Sequence, residues 1–141
     1  MRIIDATNAV AGRLASNVAK MAMQGETIRI VNSEKAVISG DRKAIIAEYT
    51  HDVQRGHPLS GPYVPRRADM LLRRIIRGML PYRKEPGVKA FARIKTFIGV
   101  PEELKDKKPE VIKEVLMINT NIIKYITIGE LSHKIGDTGA Y

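Results

Sequence analysis

No cysteine occurs among the 141 residues, which rules out a disulfide framework and any thiolate metal site and fits a reducing compartment. No apolar run approaches the length of a membrane span. The opening "MRIIDATNAV" puts Asp5 where a secretion signal needs an unbroken apolar stretch, so the chain is expected to stay in the cytoplasm. Catalytic signatures are equally sparse. "IIDATNAVAGRLAS" has the strand, turn and helix layout of a dinucleotide-binding unit, which would put phosphate at the helix N-terminus. It supplies only Gly12 where that fingerprint needs three glycines, and close packing is the simpler reading of Gly12. His51 and His57 stand six apart with Asp52 between them, and His133 stands alone; neither arrangement matches a usual zinc spacing, and surface or phosphate-contacting roles suit all three. None of Ser16, Ser33, Ser39, Ser60 and Ser132 sits in a Gly-x-Ser-x-Gly elbow. Asp5 closes the first strand, where an α/β enzyme could hold a catalytic carboxylate, but a local cap for the next turn is the simpler reading. No catalytic residue, metal or cofactor is expected.

Positive charge is what the chain has in excess. Its length suits one domain spanning 1–141, and 44% apolar with 28% charged residues is the composition of a folded protein. The net charge of +9 attracts polyanions, so nucleic acid or an anionic membrane surface is the leading partner class. Residues 1–54 hold seven basic and six acidic side chains, and residues 96–141 hold six and seven. The excess therefore lies in residues 55–95. There Arg55, Arg66, Arg67, Arg73, Arg74, Arg77, Arg83, Lys84, Lys89, Arg93 and Lys95 face only Asp69 and Glu85. Eight of these eleven are arginine, whose planar fork grips phosphate through two parallel hydrogen bonds and stacks on bases.

Hydrophobic patterning gives a coarse map. "RIID" reads as a strand, and "ATNAVAG" carries the turn and capping chemistry of a helix entry. A helix over Ala11 to Gln24 puts Leu14, Val18 and Met21 on one stripe beside Ala11, Ala15 and Ala22, with Arg13, Asn17, Lys20 and Gln24 opposite; Gly25 ends it. "ETIRIVNS" and "KAVIS" read as strands, and "SGDRKAIIAEYTHD" opens a second helix with Ser39 or Asp41 near its cap. This alternation predicts a parallel sheet with covering helices. Residues 53–65 contain three prolines and two glycines, too many for a helix or a central strand, so they form a loop that is functional or mobile. "GVKAFARI" predicts one further helical turn with Lys89 and Arg93 on one side, and "IKTFIGV" a strand. Pro101 to Glu114 reads as a solvated helix or loop, and "KYITIGEL" as a late strand with period-two alternation. Residues 53–65 and the tail "IGDTGAY" are of the kind that often orders only on binding.

Between the loop and that helical turn, Arg66 to Leu80 reads as a two-faced helix. Leu71, Leu72, Ile75, Ile76, Met79 and Leu80 occupy one half of the wheel and Arg66, Arg67, Arg73, Arg74 and Arg77 the other, with Met70 misplaced. A solvated face paired with acids fits poorly, because the segment has two acids only and Arg73 and Arg77 repel each other at i, i+4. A polyanion relieves that repulsion. A nucleic-acid face is therefore favoured over an anionic membrane, a protein partner or a solubility role; the apolar stripe is needed by the core and lacks aromatic membrane anchors. Pro81 ends the helix by disfavouring helical geometry at Leu80, and Gly78 leaves room for a close backbone approach.

Three segments, "IDATNAVAGRLAS", "IVNSEKAVISGDR" and "RGMLPYRKEPGVKAFARIKTFIG", resemble in order the corresponding parts of the ribosomal protein L-thirteen family of the large subunit. The resemblance covers residues 2–100 and fades beyond Pro101. The start at Met1, without the N-terminal extension of bacterial members, resembles the archaeal and eukaryotic form. It implies a three-layer α/β/α domain with a small, mainly parallel sheet and a basic helix-plus-loop extension. It also implies no catalysis, binding to 23S-type rRNA beside neighbouring large-subunit proteins, and early entry into subunit assembly. By position, "RGMLP" falls on Arg77, Gly78, Met79, Leu80 and Pro81, and "GRLAS" on Gly12, Arg13, Leu14, Ala15 and Ser16. The expected rRNA-binding residues are Arg13, Arg55, Arg66, Arg67, Arg73, Arg74, Arg77, Tyr82, Arg83, Lys84, Lys89, Arg93 and Lys95. Tyr63, Tyr82 and Phe97 are the aromatics available to stack unpaired bases; Tyr82 lies among charges, whereas Phe97 reads as core. Two rivals remain: an enzyme or nucleotide-binding module using Gly12 and Asp5, which leaves the arginine segment unexplained, and a DNA-associated architectural protein.

Overall fold

The computed structural model describes residues 1–139; of the tail "IGDTGAY", the last two residues lie outside the described range. Its elements are β1 (Arg2–Asp5), α1 (Ala11–Met23), β2 (Ile28–Val31), β3 (Val37–Ser39), α2 (Arg42–Gln54), α3 (Ala68–Gly78), α4 (Glu85–Ala92), β4 (Ile94–Thr96), β5 (Tyr125–Thr127) and α5 (Ile128–Lys134). β1, β2 and β4 form a parallel sheet in that order, with Ile4 opposite Ile30 and Ile28 opposite Ile94. The side-chain alternation of strands sends Ile4, Ile28, Ile30 and Ile94 to one face, where they share a core with Leu14 and Val18 of α1, Leu71, Leu72 and Ile76 of α3 and Ala90 of α4. Each of these isoleucine, leucine and valine side chains contributes about 1.5–3 kcal/mol when fully buried. Ile3 and Val31 fall on the opposite face and pack with Leu104 and Phe97. That third layer is thin, because its cover is a single 3-10 turn at Glu102–Leu104.

Several boundaries differ from the sequence reading for local reasons. α1 packs by small residues, burying Ala11, Ala15, Ala19 and Ala22 beside Leu14 and Val18, while Met21 stays half-buried at the edge. No side chain caps α1. The polar residues before it are used elsewhere: the Asp5 carboxylate accepts from the Thr7 amide (2.9 Å), the Thr7 hydroxyl (2.6 Å) and Asn32 (3.0 Å), and Asn8 turns the chain at φ 56°. At α2 Asp41, not Ser39, is the cap, accepting from the Ala44 amide. α2 continues through Gln54, so the loop starts at Arg55. This loop folds on itself, with His57 and Gly61 exchanging backbone hydrogen bonds of 3.0 and 2.9 Å.

β3 leaves the parallel sheet and pairs antiparallel with β5, Val37 opposite Thr127 and Ser39 opposite Tyr125. "KYITIGEL" is only half strand. Thr127 ends β5 and caps α5 by accepting from the Glu130 amide (3.3 Å), the Ser/Thr-x-x-Glu signature of a helix start. Ile126, Ile128, Leu131 and Ile135 then join Val115 in the main core. α3 begins at Ala68, with Arg67 extended at its cap, so Arg66 and Arg67 lie off the helical wheel.

Candidate nucleic-acid interface

α3 divides as its sequence implies: Leu71, Leu72 and Ile76 are buried, Arg73 and Arg77 are half-buried and Arg74 is exposed. The guanidinium of Arg73 lies over the Phe91 ring of α4 at 4.4 Å. Those of Arg77 and Arg83 lie 5.1 and 5.9 Å from the centre of the Tyr82 ring. Cation–π attraction thus draws three guanidinium groups toward two aromatic rings. Among the described residues, none of Arg73, Arg74, Arg77, Arg83 and Lys84 forms an ion pair.

The α3–α4 corner that assembles them is tight. The Tyr82 amide donates to Leu80 (2.7 Å) and the Lys84 amide to Pro81 (2.9 Å), after which Glu85 and Pro86 open α4 behind Lys84. A Cβ on Gly87 would lie 2.1 Å from the Pro81 carbonyl oxygen, so only glycine lets α4 press onto the turn. Gly78 was the expected close-approach glycine, but nothing stands within 4 Å of its missing side chain. The close contact belongs to Gly87.

Other expected site residues sit in different surroundings. Lys89 pairs with Glu85 at 2.6 Å and Arg67 with Asp69 at 3.2 Å. Arg93, at the C-terminal cap of α4, donates to the Ala22 carbonyl (3.2 Å), which also accepts from the Gly25 amide (3.1 Å), and so ties α4 to the end of α1. Lys95 stands opposite Arg29 across the sheet and alternates with buried Ile94, so it lies on the face away from the helices. Arg55 and Arg66 line one groove with His57 and Tyr63. Arg13 is exposed on α1 and donates to Thr120 (3.3 Å). One turn on, the Ser16 hydroxyl meets the Met79 sulfur at 3.3 Å, so "GRLAS" and "RGMLP" touch.

Sequence reasoning missed Phe91 as the partner of Arg73, eighteen positions away, for which no local signal exists. It also counted acids only within the basic segment. Glu48 and Asp52 of α2 line a groove with Arg74. Burial, reinforced by those two carboxylates and opposed by Arg74, holds the Tyr49 phenol above its ordinary range.

Of the two residues the enzymatic rival needs, Asp5 is committed to structure, while nothing stands within 4 Å of where a Gly12 side chain would be, so close packing is not what requires Gly12. Burial opposes ionisation of Asp5, but the hydrogen bonds from Thr7 and Asn32 and the charge of Lys35 together outweigh it and lower its pKa. His57 accepts from the Leu59 amide (3.2 Å) as part of its turn. Among the described residues no group of three His, Asp or Glu side chains could hold a metal, and no helix is long and apolar enough to cross a membrane.

A model of the family described as Ribosomal protein L13 matches residues 1–103. The chain belongs to the ribosomal protein L13 family. Membership makes it a structural ribosomal protein and not an enzyme. Similar L13 proteins, each named large ribosomal subunit protein uL13, come from archaea. The Methanosarcina barkeri protein is 48% identical over 137 residues, 96% of this chain and 98% of its own length. That of Methanococcus maripaludis is 46% identical over 140 residues, with the same two shares. That of Methanopyrus kandleri is 44% identical over 136 residues, 95% of this chain and 86% of its own. The L13 family model thus ends close to where the resemblance faded, while the archaeal L13 proteins continue through the C-terminal third.

Proposed function

We propose that this protein is a cytoplasmic constituent of the large ribosomal subunit that holds 23S-type rRNA at its α3–α4 corner and supports early subunit assembly, beside other large-subunit proteins. One observation carries this reading: Arg73, Arg77 and Arg83 are stacked on aromatic rings yet have no carboxylate partner, in a segment that holds the whole positive excess. An arginine already held in plane loses less freedom on gripping a phosphate. Folded RNA offers backbone shape, 2′-hydroxyls and unpaired bases rather than a readable major groove, which suits a fixed fork of guanidinium groups. Arg74, Lys84 and Arg13 widen this surface, and Arg55 and Arg66 extend it along the loop. In this reading Arg67, Lys89 and Arg93 act first in folding, and Lys95 meets a different part of the RNA from the opposite face.

The test is sedimentation from cell extract in moderate salt, followed by binding to isolated rRNA. The protein is expected with large subunits, and neutralising six to ten phosphates implies an affinity loss of about 10³–10⁵ between about 50 and 200 mM salt. Free or chromatin-bound protein, or a salt-insensitive complex, would refute the proposal.

A further inference from the structure

Between α3, α4 and the 55–67 loop lies a shallow pocket of about 160 Å³. It is lined by Tyr63 and Pro65 of the loop, Met70, Arg73, Arg74 and Arg77 of α3, and Phe91 of α4. No acidic side chain lines it. Tyr63 is 73% exposed although it is anchored, its hydroxyl donating to the Leu59 carbonyl at 2.7 Å. Across from it Phe91 is covered on one side by the Arg73 guanidinium. Met70, misplaced on the helical wheel, is 43% exposed here. An exposed aromatic, a guanidinium stacked on a second ring, apolar Pro65 and Met70, and two unpaired cations are the components of a site for a flat ring carrying an anion. A volume of about 160 Å³ is too small for paired nucleic acid.

We infer that this pocket takes a single unpaired nucleotide of the bound RNA, its base stacked on Tyr63 and its phosphates held by Arg74 and Arg77. The inference deepens the rRNA-binding reading and rests on it. Rings stack without regard to base identity, so the pocket selects an extruded nucleotide and not a sequence. Tyr82 is then a positioning residue, because its ring is already engaged by Arg77 and Arg83.

The full chain would be titrated against RNA hairpins of equal length, one fully paired and four with a single extruded nucleotide, one for each base. The extruded forms are expected to bind about fivefold more tightly or better, which is the low end of what one base stacked on an aromatic contributes. Tyr63→Ala should remove that preference. Tyr63→Phe should keep it, which separates the ring from the loop-anchoring hydroxyl. Equal binding of paired and extruded hairpins, or an undiminished preference in Tyr63→Ala, overturns the pocket while the rRNA reading stands. Failure to bind any hairpin at low salt overturns both. Displacement of the extruded hairpin, but not the paired one, by polyglutamate would show that the pocket takes acidic peptide instead.

Discussion

Arg73 and Arg77 are one helical turn apart, yet they differ in what holds them. Arg73 stacks on Phe91 and its Nε is sealed from solvent without an acceptor, whereas Arg77 leans over the half-exposed ring of Tyr82. Losing the first stack costs about 0.5–1 kcal/mol, partly offset because an unsatisfied donor disappears with it. Arg73→Gln should therefore lower the thermal midpoint by about 1–4 °C, and Arg77→Gln should leave it unchanged. Both should weaken rRNA binding. Thermal melts and filter binding on the two variants check this, and an unmoved midpoint in Arg73→Gln would mean that the stack contributes nothing. Asp5 obeys similar local logic. Its pKa is lowered in the folded chain, so its contribution to stability is present above the ordinary carboxylate range and is lost as the pH falls through the lowered value.

At the scale of elements, the α3–α4 corner decides whether the arginines form one surface. Pro81 stops α3, the turn places Tyr82 and Arg83 beside Arg77, and Gly87 lets α4 return closely enough for Phe91 to meet Arg73. Gly87→Ala would force a methyl group into the Pro81 carbonyl, so it should cost about 1–3 kcal/mol and weaken rRNA binding through displaced guanidinium groups. Gly78→Ala is the matched control: it meets open space inside a helix and should be neutral or stabilising by about 0.5–1 kcal/mol. Urea unfolding and rRNA titration of both variants test the assignment. Equal effects would show that the corner tolerates a side chain at Gly87. The corner also shows where sequence reasoning stops. A proline at a helix end has a local signature, but a glycine needed because a distant carbonyl approaches it has none.

For the whole molecule, legibility followed the range of the physics. The α1 stripe, β1, β2 and the two faces of α3 were readable because side-chain periodicity is a local property. So was the confinement of charge to residues 55–95. β3 misled, since β-branched residues mark a strand without naming its partner, and it pairs with β5 eighty-eight residues away. α5 was hidden because Ile126 and Ile128 alternate like a strand while Ile128, Leu131 and Ile135 recur like a helix; the Thr127–Glu130 cap resolves this. The surroundings of the basic residues were least legible, because Lys89, Arg93 and Arg67 look like Arg74 and Arg83 in sequence and differ only in their three-dimensional partners. The C-terminal third is the part that neither the resemblance nor the family model reaches, yet Val115, Ile126, Ile128, Leu131 and Ile135 sit in the same core as Leu14 and Ile76. At about 1.5–3 kcal/mol each, these five side chains contribute an amount comparable to the whole stability of a domain, about 5–15 kcal/mol. A chain ended after residue 103 should therefore lose its cooperative thermal transition and bind hydrophobic dye, even though it keeps the arginine corner. Circular dichroism melts and dye fluorescence on that truncation decide the matter: a sharp transition near that of the full chain would mean that the C-terminal third is an appendage, not part of one folding unit.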